Sequence, residues 1–129
     1  MVVVDTSAWI EFFNNGDPLV TVKVDRVLER EAVAIGDLIY CEIMQGMYDP
    51  RERTEISEML LALPRFGMVG FEMAGKSAAN YRRLREHGIT IRKTIDVMIA
   101  TFCVEHDLEL IHNDRDFDLL APILGLRTT

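Results

Sequence analysis

The chain opens Met1-Val2-Val3-Val4-Asp5-Thr6-Ser7, and this stretch decides the fold. Three consecutive valines favour extended backbone, and an unbroken apolar run suits a strand covered on both faces. The run breaks at once into an acid and two hydroxyl residues, followed by the helix-patterned Ala8-Trp9-Ile10-Glu11-Phe12-Phe13. A buried strand feeding a helix is the start of an open α/β sheet. Ligands of such sheets sit outside the carboxyl ends of the strands, which puts Asp5 at the mouth of the site.

Further along, strand and helix patterns alternate. Asn14-Asn15-Gly16-Asp17-Pro18 is a break, and Leu19 to Arg30 reads as a helix with Val20, Val24, Val27 and Leu28 on one stripe. Ala32 to Ile35 is a short strand closed by Gly36, and Asp37 is expected to cap a helix from Leu38 to Met47 that carries Glu42. Pro50 opens another helix, which Pro64 ends. A third strand is expected over Phe66 to Phe71, a long helix over Glu72 to Glu86, and an apolar helix over Thr94 to His106 with Asp96 in its first turn. Leu108 to His112 is the fourth strand, and a short helix and a last strand over Leu124 to Arg127 finish the chain. This order predicts βαβ units: a three-layer α/β/α domain over 1–129 with a central parallel sheet of four to five strands.

Bulk properties narrow the class. With 129 residues, 49% hydrophobic and 27% charged, the chain reads as one globular domain with a real core. No apolar run reaches the roughly 20 residues of a membrane span, and the N-terminus lacks the basic region of a signal peptide. Cys41 and Cys103 lie in apolar helical runs and are expected to be reduced core thiols, so a cytoplasmic location is expected. The net charge of −7 argues against a simple nucleic-acid binder, unless several acids gather around a bound cation.

Each acid has an ordinary explanation when taken singly. Asp5 can cap the following helix, and Asp96 suits a helix dipole by about 0.3–1 kcal/mol. Asp114, Asp116 and Asp118 fall in a polar turn, where aspartate hydrogen-bonds locally. Glu42, among Leu38, Ile39, Ile43 and Met44, requires a cationic partner if it is buried. What these explanations leave out is convergence: two acids at strand ends and two on helices all fall at one edge of one sheet. Clustered carboxylates repel unless cations are present, and an oxygen-only donor set suits Mg2+ or Mn2+ rather than zinc. Such a site binds phosphates and activates water. Arg82, Arg83 and Arg85, then Arg92 and Lys93, precede Asp96; they suit a solvated face or contact with a phosphate backbone. His87 and His106 look like helix-end residues, and His112 either orients a carboxylate or makes a structural bond at the strand end.

Together these residues resemble the PIN-domain family, most closely the small ribonuclease toxins of VapBC-type toxin–antitoxin pairs. The resemblance rests on Val3-Val4-Asp5-Thr6-Ser7, on Glu42 after the second strand, on Asp96-Val97-Met98-Ile99-Ala100, and on Asp114-Arg115-Asp116-Phe117. It implies a Mg2+- or Mn2+-dependent endoribonuclease in which Asp5, Glu42, Asp96 and Asp114 form the acid quartet. Asp116 is a further family acid, sharing the metal role or holding the loop. Thr6 or Ser7 assists by hydrogen bonding, and Asp118 has no implied role. Arg82, Arg85, Arg92 and Lys93 are the candidates for contact with RNA. The resemblance also implies a homodimer and a cognate antitoxin whose terminal segment lies in an apolar groove. Trp9, Phe12, Phe13, Met44 and Met47 are available for that groove, or for the core.

Rival classes fit less well. A phospho-accepting receiver needs adjacent acids after the first strand and a lysine ending the fifth, whereas Asp5 is followed by Thr6-Ser7 and no lysine follows Lys93. A haloacid dehalogenase-type phosphohydrolase needs an aspartate where Ser7 stands. A non-catalytic signalling, RNA-binding or antitoxin-binding module of the same fold stays open at this point.

Overall fold

The protein's structure, a computed structural model, describes residues 1–129. Four parallel strands form the sheet: β1 (Val2–Val4), β2 (Val33–Gly36), β3 (Arg65–Phe66) and β4 (Glu109–Ile111), in the order β3-β2-β1-β4. Seven helices accompany them: α1 (Thr6–Phe13), α2 (Pro18–Glu29), α3 (Asp37–Gly46), α4 (Pro50–Leu61), α5 (Phe71–Glu86), α6 (Thr94–Glu105) and α7 (Arg115–Leu124). The α/β class read from the alternation is the architecture found.

Topology places the site. Successive crossovers from β1 to β2 to β3 march toward one edge, and the chain then returns to lay β4 on the other side of β1. Right-handed crossovers in opposite directions put their helices on opposite faces. Accordingly α1 packs on α2 and α3, while α6 packs on α5 and α7. The strand order reverses between β1 and β4, where Val2, Val3 and Val4 pair with Glu109, Leu110 and Ile111. At such a switch point the loops leaving two neighbouring strands part, and a crevice opens beyond their carboxyl ends. Asp5 leaves β1 there, its N–H bonded to the Ile111 carbonyl at 2.8 Å.

The core is continuous across both faces. Val3, Val4, Ile35, Leu110 and Ile111 come from the sheet, joined by Trp9, Ile39, Ile43, Leu60, Leu84, Ile99, Phe117 and Leu120 from the helices, all nearly solvent-free. Trp9 is fully buried, stacked with Phe13 at 5.4 Å and edge-on to Phe12 at 5.9 Å. It therefore belongs to the core; Phe12, Phe13, Met44 and Met47 are half-buried against it. No helix is long and apolar enough to cross a membrane.

Several local expectations are corrected. The third strand is two residues, not Phe66 to Phe71, because the Asp37 carboxylate captures the Met68 N–H at 2.9 Å in place of a ladder partner. Gly36, not Asp37, holds the N-cap position of α3; Asp37 is the first helical residue, and the oxygen that takes the Met68 N–H also accepts the Leu38 N–H at 2.8 Å. The Met68 side chain, fully buried, lies where a Cβ on Gly36 would sit. No final strand forms over Leu124 to Arg127. Instead α7 runs through Leu124 and ends at Gly125 in the left-handed region at φ 76°, leaving one bridge between Leu110 and Thr128. Cys41 is exposed rather than a core thiol, since Ile39 and Ile43, four apart, claim the inner face of α3. Cys103 is buried as expected.

Candidate active site

Three of the four expected acids stand at helix N-termini, and the same backbone positions explain both their capping and their convergence. Asp5 caps α1: its Oδ2 accepts the Ser7 N–H at 3.0 Å and the Ser7 hydroxyl at 2.6 Å. Asp114 caps α7, its carboxylate accepting the Asp116 N–H at 2.9 Å. Asp96 lies in the first turn of α6, its own N–H bonded to the Lys93 carbonyl. The positive ends of three helix dipoles thus meet at the switch point, which favours negative charge there. Glu42 differs. It projects from the middle of α3 and accepts the Thr6 hydroxyl at 2.8 Å.

Capping does not use up the carboxylates. Asp5 and Asp96 are each only 4% exposed, yet Asp5 Oδ1 and Asp96 Oδ2 are buried without any hydrogen-bond partner. A buried carboxylate oxygen without a partner is costly, so both atoms are open to a cation or a water. Asp96, Asp114 and Asp116 each bring a carboxylate oxygen within 4.8 Å of the others. That close group includes Asp116, the acid whose part was left between metal and loop, and it leaves out Asp5 and Glu42.

The acids nevertheless act on one another. Burial first, then the charges of Asp5 and Asp114, push the Asp96 carboxyl up to about 7. Asp5 is raised mainly by burial, against the lowering effect of its Ser7 bonds. Glu42 is raised by burial and by Asp5, and is lowered by its Thr6 bond. Lys93 is the cation that counters the raised state of both Asp96 and Glu42. Carboxylates raised by burial and like charge are the condition a divalent cation relieves. The donor set holds only oxygen, which fits a hard cation.

Supporting residues tie the acids to the scaffold. Ser7 bonds Asp5 and also accepts the Asn113 N–H at 2.9 Å, joining the loop after β1 to the loop after β4. Thr6 joins α1 to α3 through Glu42. Neither link is visible in sequence, because its partners are distant along the chain. Of the basic residues, Lys93 is exposed beside the acids, as above. Arg82, Arg85 and Arg92 are exposed as well. Arg82 lines a largely apolar groove between α5 and α6, with Ala74, Tyr81, Val97 and Met98. His87 and His106 cap α5 and α6, with Nδ1 against the Arg83 and Phe102 carbonyls, as their helix-end positions suggested.

Comparison with known proteins gives the family. The PIN domain family model matches residues 2–121. Ribonuclease VapC11 of Mycobacterium tuberculosis is 33% identical over 129 residues, covering 98% of this chain and 96% of that one. Ribonuclease VapC51 of the same organism is 30% identical over 115 residues, covering 84% and 78%. Among solved structures, VapBC2 from Rickettsia felis bound to a promoter DNA fragment superposes with a TM-score of 0.78 at 14% identity, over 100% of this chain and 98% of that one. DNA-bound VapBC from Salmonella typhimurium gives 0.76 at 17% identity, over 100% and 98%. With its acids at the switch point, a family match over residues 2–121 and a third of its positions shared with a VapC ribonuclease, the chain belongs to the PIN-domain family.

Proposed function

We propose that this chain is the toxin of a toxin–antitoxin pair, a divalent-metal-dependent endoribonuclease that hydrolyses RNA phosphodiester bonds. One observation carries it: two buried, unpartnered carboxylate oxygens, Asp5 Oδ1 and Asp96 Oδ2, beside the close group of Asp96, Asp114 and Asp116. Asp5, Asp96, Asp114 and Asp116 would hold Mg2+ or Mn2+. When bound, such an ion supplies positive charge against the charge developing on the phosphodiester.

The chain's own residues do the remaining work. Ser7 fixes the Asp5 rotamer through Oδ2 and so leaves Oδ1 free. Glu42, half-buried and with its pKa raised by burial, is suited to take a proton from the attacking water, with Thr6 aligning it. Lys93, whose charge acts on Asp96 and Glu42, is a cation for the backbone phosphates, and Arg82, Arg85 and Arg92 extend the basic surface. The partner reading rests on kinship: the VapC relatives are ribonucleases by name, and the Rickettsia felis and Salmonella typhimurium neighbours are VapBC structures. A homodimer bound by a cognate antitoxin in the cytoplasm completes the proposal.

The test is cleavage of total RNA by purified protein in Mg2+, Mn2+ or EDTA, beside Asp96→Asn. Discrete cuts that need metal and vanish in the variant are expected. Absence of cuts under every condition, from folded protein free of antitoxin, would overturn the nuclease and leave a binding module.

A further inference from the structure

We propose that His112 is the positioning residue that sets Asp114 within the acid cluster, and that Asp118 holds the His112 ring in the required tautomer. His112 follows β4 directly, and its side chain is 7% exposed. The ring leans on Phe117 of α7, with centroids 5.1 Å apart at 46°. The backbone N–H of Asp114 donates to His112 Nδ1 at 3.2 Å. An amide N–H can only donate, so Nδ1 carries the lone pair and the ring proton sits on Nε2. Nε2 in turn stands 3.5 Å from Asp118 Oδ1, and an ionised carboxylate only accepts. Both neighbours therefore select the same tautomer.

The consequence reaches the cluster through the backbone. His112 takes the Asp114 N–H, and Asp114 then turns its carboxylate to cap α7 and to join Asp96 and Asp116. Without an acceptor at Nδ1, the loop between β4 and α7 loses the contact that fixes the rotation of Asp114. Ser7 holds the same loop one residue earlier, through the Asn113 N–H, so two successive amides of the loop each meet a side chain. Asp118 acquires a role here that its solvent exposure conceals. Contacts of this kind, one step removed from the ligands, commonly change metal affinity 10- to 100-fold.

The inference rests on the acid cluster being the cation site, and its test separates the two. Mn2+ binding to the metal-free protein is measured by calorimetry for wild type, His112→Leu and His112→Asn. Leucine keeps the packing against Phe117 but removes the acceptor; asparagine removes the ring but presents Oδ1 where Nδ1 was. Weakening of about tenfold for His112→Leu and less than about threefold for His112→Asn is expected. Wild-type affinity in His112→Leu, or equal loss in both variants, would overturn the positioning role and leave His112 a packing residue. A wild-type protein that takes up no Mn2+ would overturn the cation site and this inference with it. The ring 15N shifts give a readout independent of metal. Nδ1 is expected in the unprotonated range in wild type and shifted toward a tautomer mixture in Asp118→Ala; identical shifts in the two would remove Asp118 from the scheme.

Discussion

The Thr6 hydroxyl donates a hydrogen bond to Glu42 Oε1 at 2.8 Å, joining the first residue of α1 to the middle of α3. That bond lowers the pKa of a carboxylate that burial and Asp5 push up. Thr6→Val is therefore expected to raise the Glu42 pKa, observable by carboxyl 13C NMR, and to cost about 1 kcal/mol of stability. RNA cleavage should fall about tenfold through loss of alignment. Thr6→Ser, which keeps the hydroxyl, should restore most of both. An unchanged Glu42 titration in Thr6→Val would refute the coupling.

The acid cluster makes the metal-free protein sensitive to pH with a definite sign. Asp96 titrates near 7 in the folded chain against an ordinary 3.8, so the folded state holds its proton over a range where the unfolded state has released it. Stability from this group is present below about 4 and declines as pH rises toward 7. Asp96→Asn should then stabilise the metal-free protein at pH 8 by about 1–2 kcal/mol, allowing for solvent screening, and add nothing at pH 4. Thermal melts in EDTA at the two pH values check this; equal shifts at both would refute it.

Adding a divalent cation should reverse that pattern. At pH 8 the wild type is expected to gain Tm with Mg2+ or Mn2+, by an amount that grows with the logarithm of concentration above Kd. Asp96→Asn should show little gain. A comparable rise in the variant would place the binding elsewhere.

Lys93 is the cation that opposes the raised state of Asp96 and Glu42. Lys93→Met should push both carboxyls higher and move the acid limb of the cleavage pH profile upward. Arg85→Ala should leave that limb in place and weaken RNA binding with a reduced salt dependence. Identical profiles for the wild type and Lys93→Met would separate Lys93 from the acids.

Gly36 leads into the helix that carries Glu42, and the space beside its Cα belongs to the buried Met68 side chain. Gly36→Ala should destabilise the fold by about 1–3 kcal/mol through overpacking. Met68→Ala in the same background should recover part of the cleavage activity by making room, although it opens a cavity. Denaturant unfolding and a cleavage assay on both variants decide the matter.

The sequence by itself determined the architecture and marked the candidate acids. Val2 to Val4 and the strand-helix alternation are local patterns, and local patterns report hydrophobic burial and backbone preference directly. Asp5, Asp96 and Asp114 were legible because helix starts and strand ends are marked by short-range chemistry, and Glu42 because an acid amid apolar neighbours is conspicuous. Edges were less legible. The third strand shrank to Arg65–Phe66 because Asp37, 31 residues away, took the Met68 N–H, and the last strand gave way to a longer α7. Only the tertiary structure decided which oxygens stay free, that Asp116 rather than Asp5 joins the close group, and that Lys93 stands by the acids. It alone assigned Ser7 to Asn113 and His112 to Asp118 and Asp114. Those facts depend on rotamers and on contacts between loops far apart in the chain. A sequence pattern specifies which face a residue occupies, but the packing of neighbouring elements decides what its polar atoms meet.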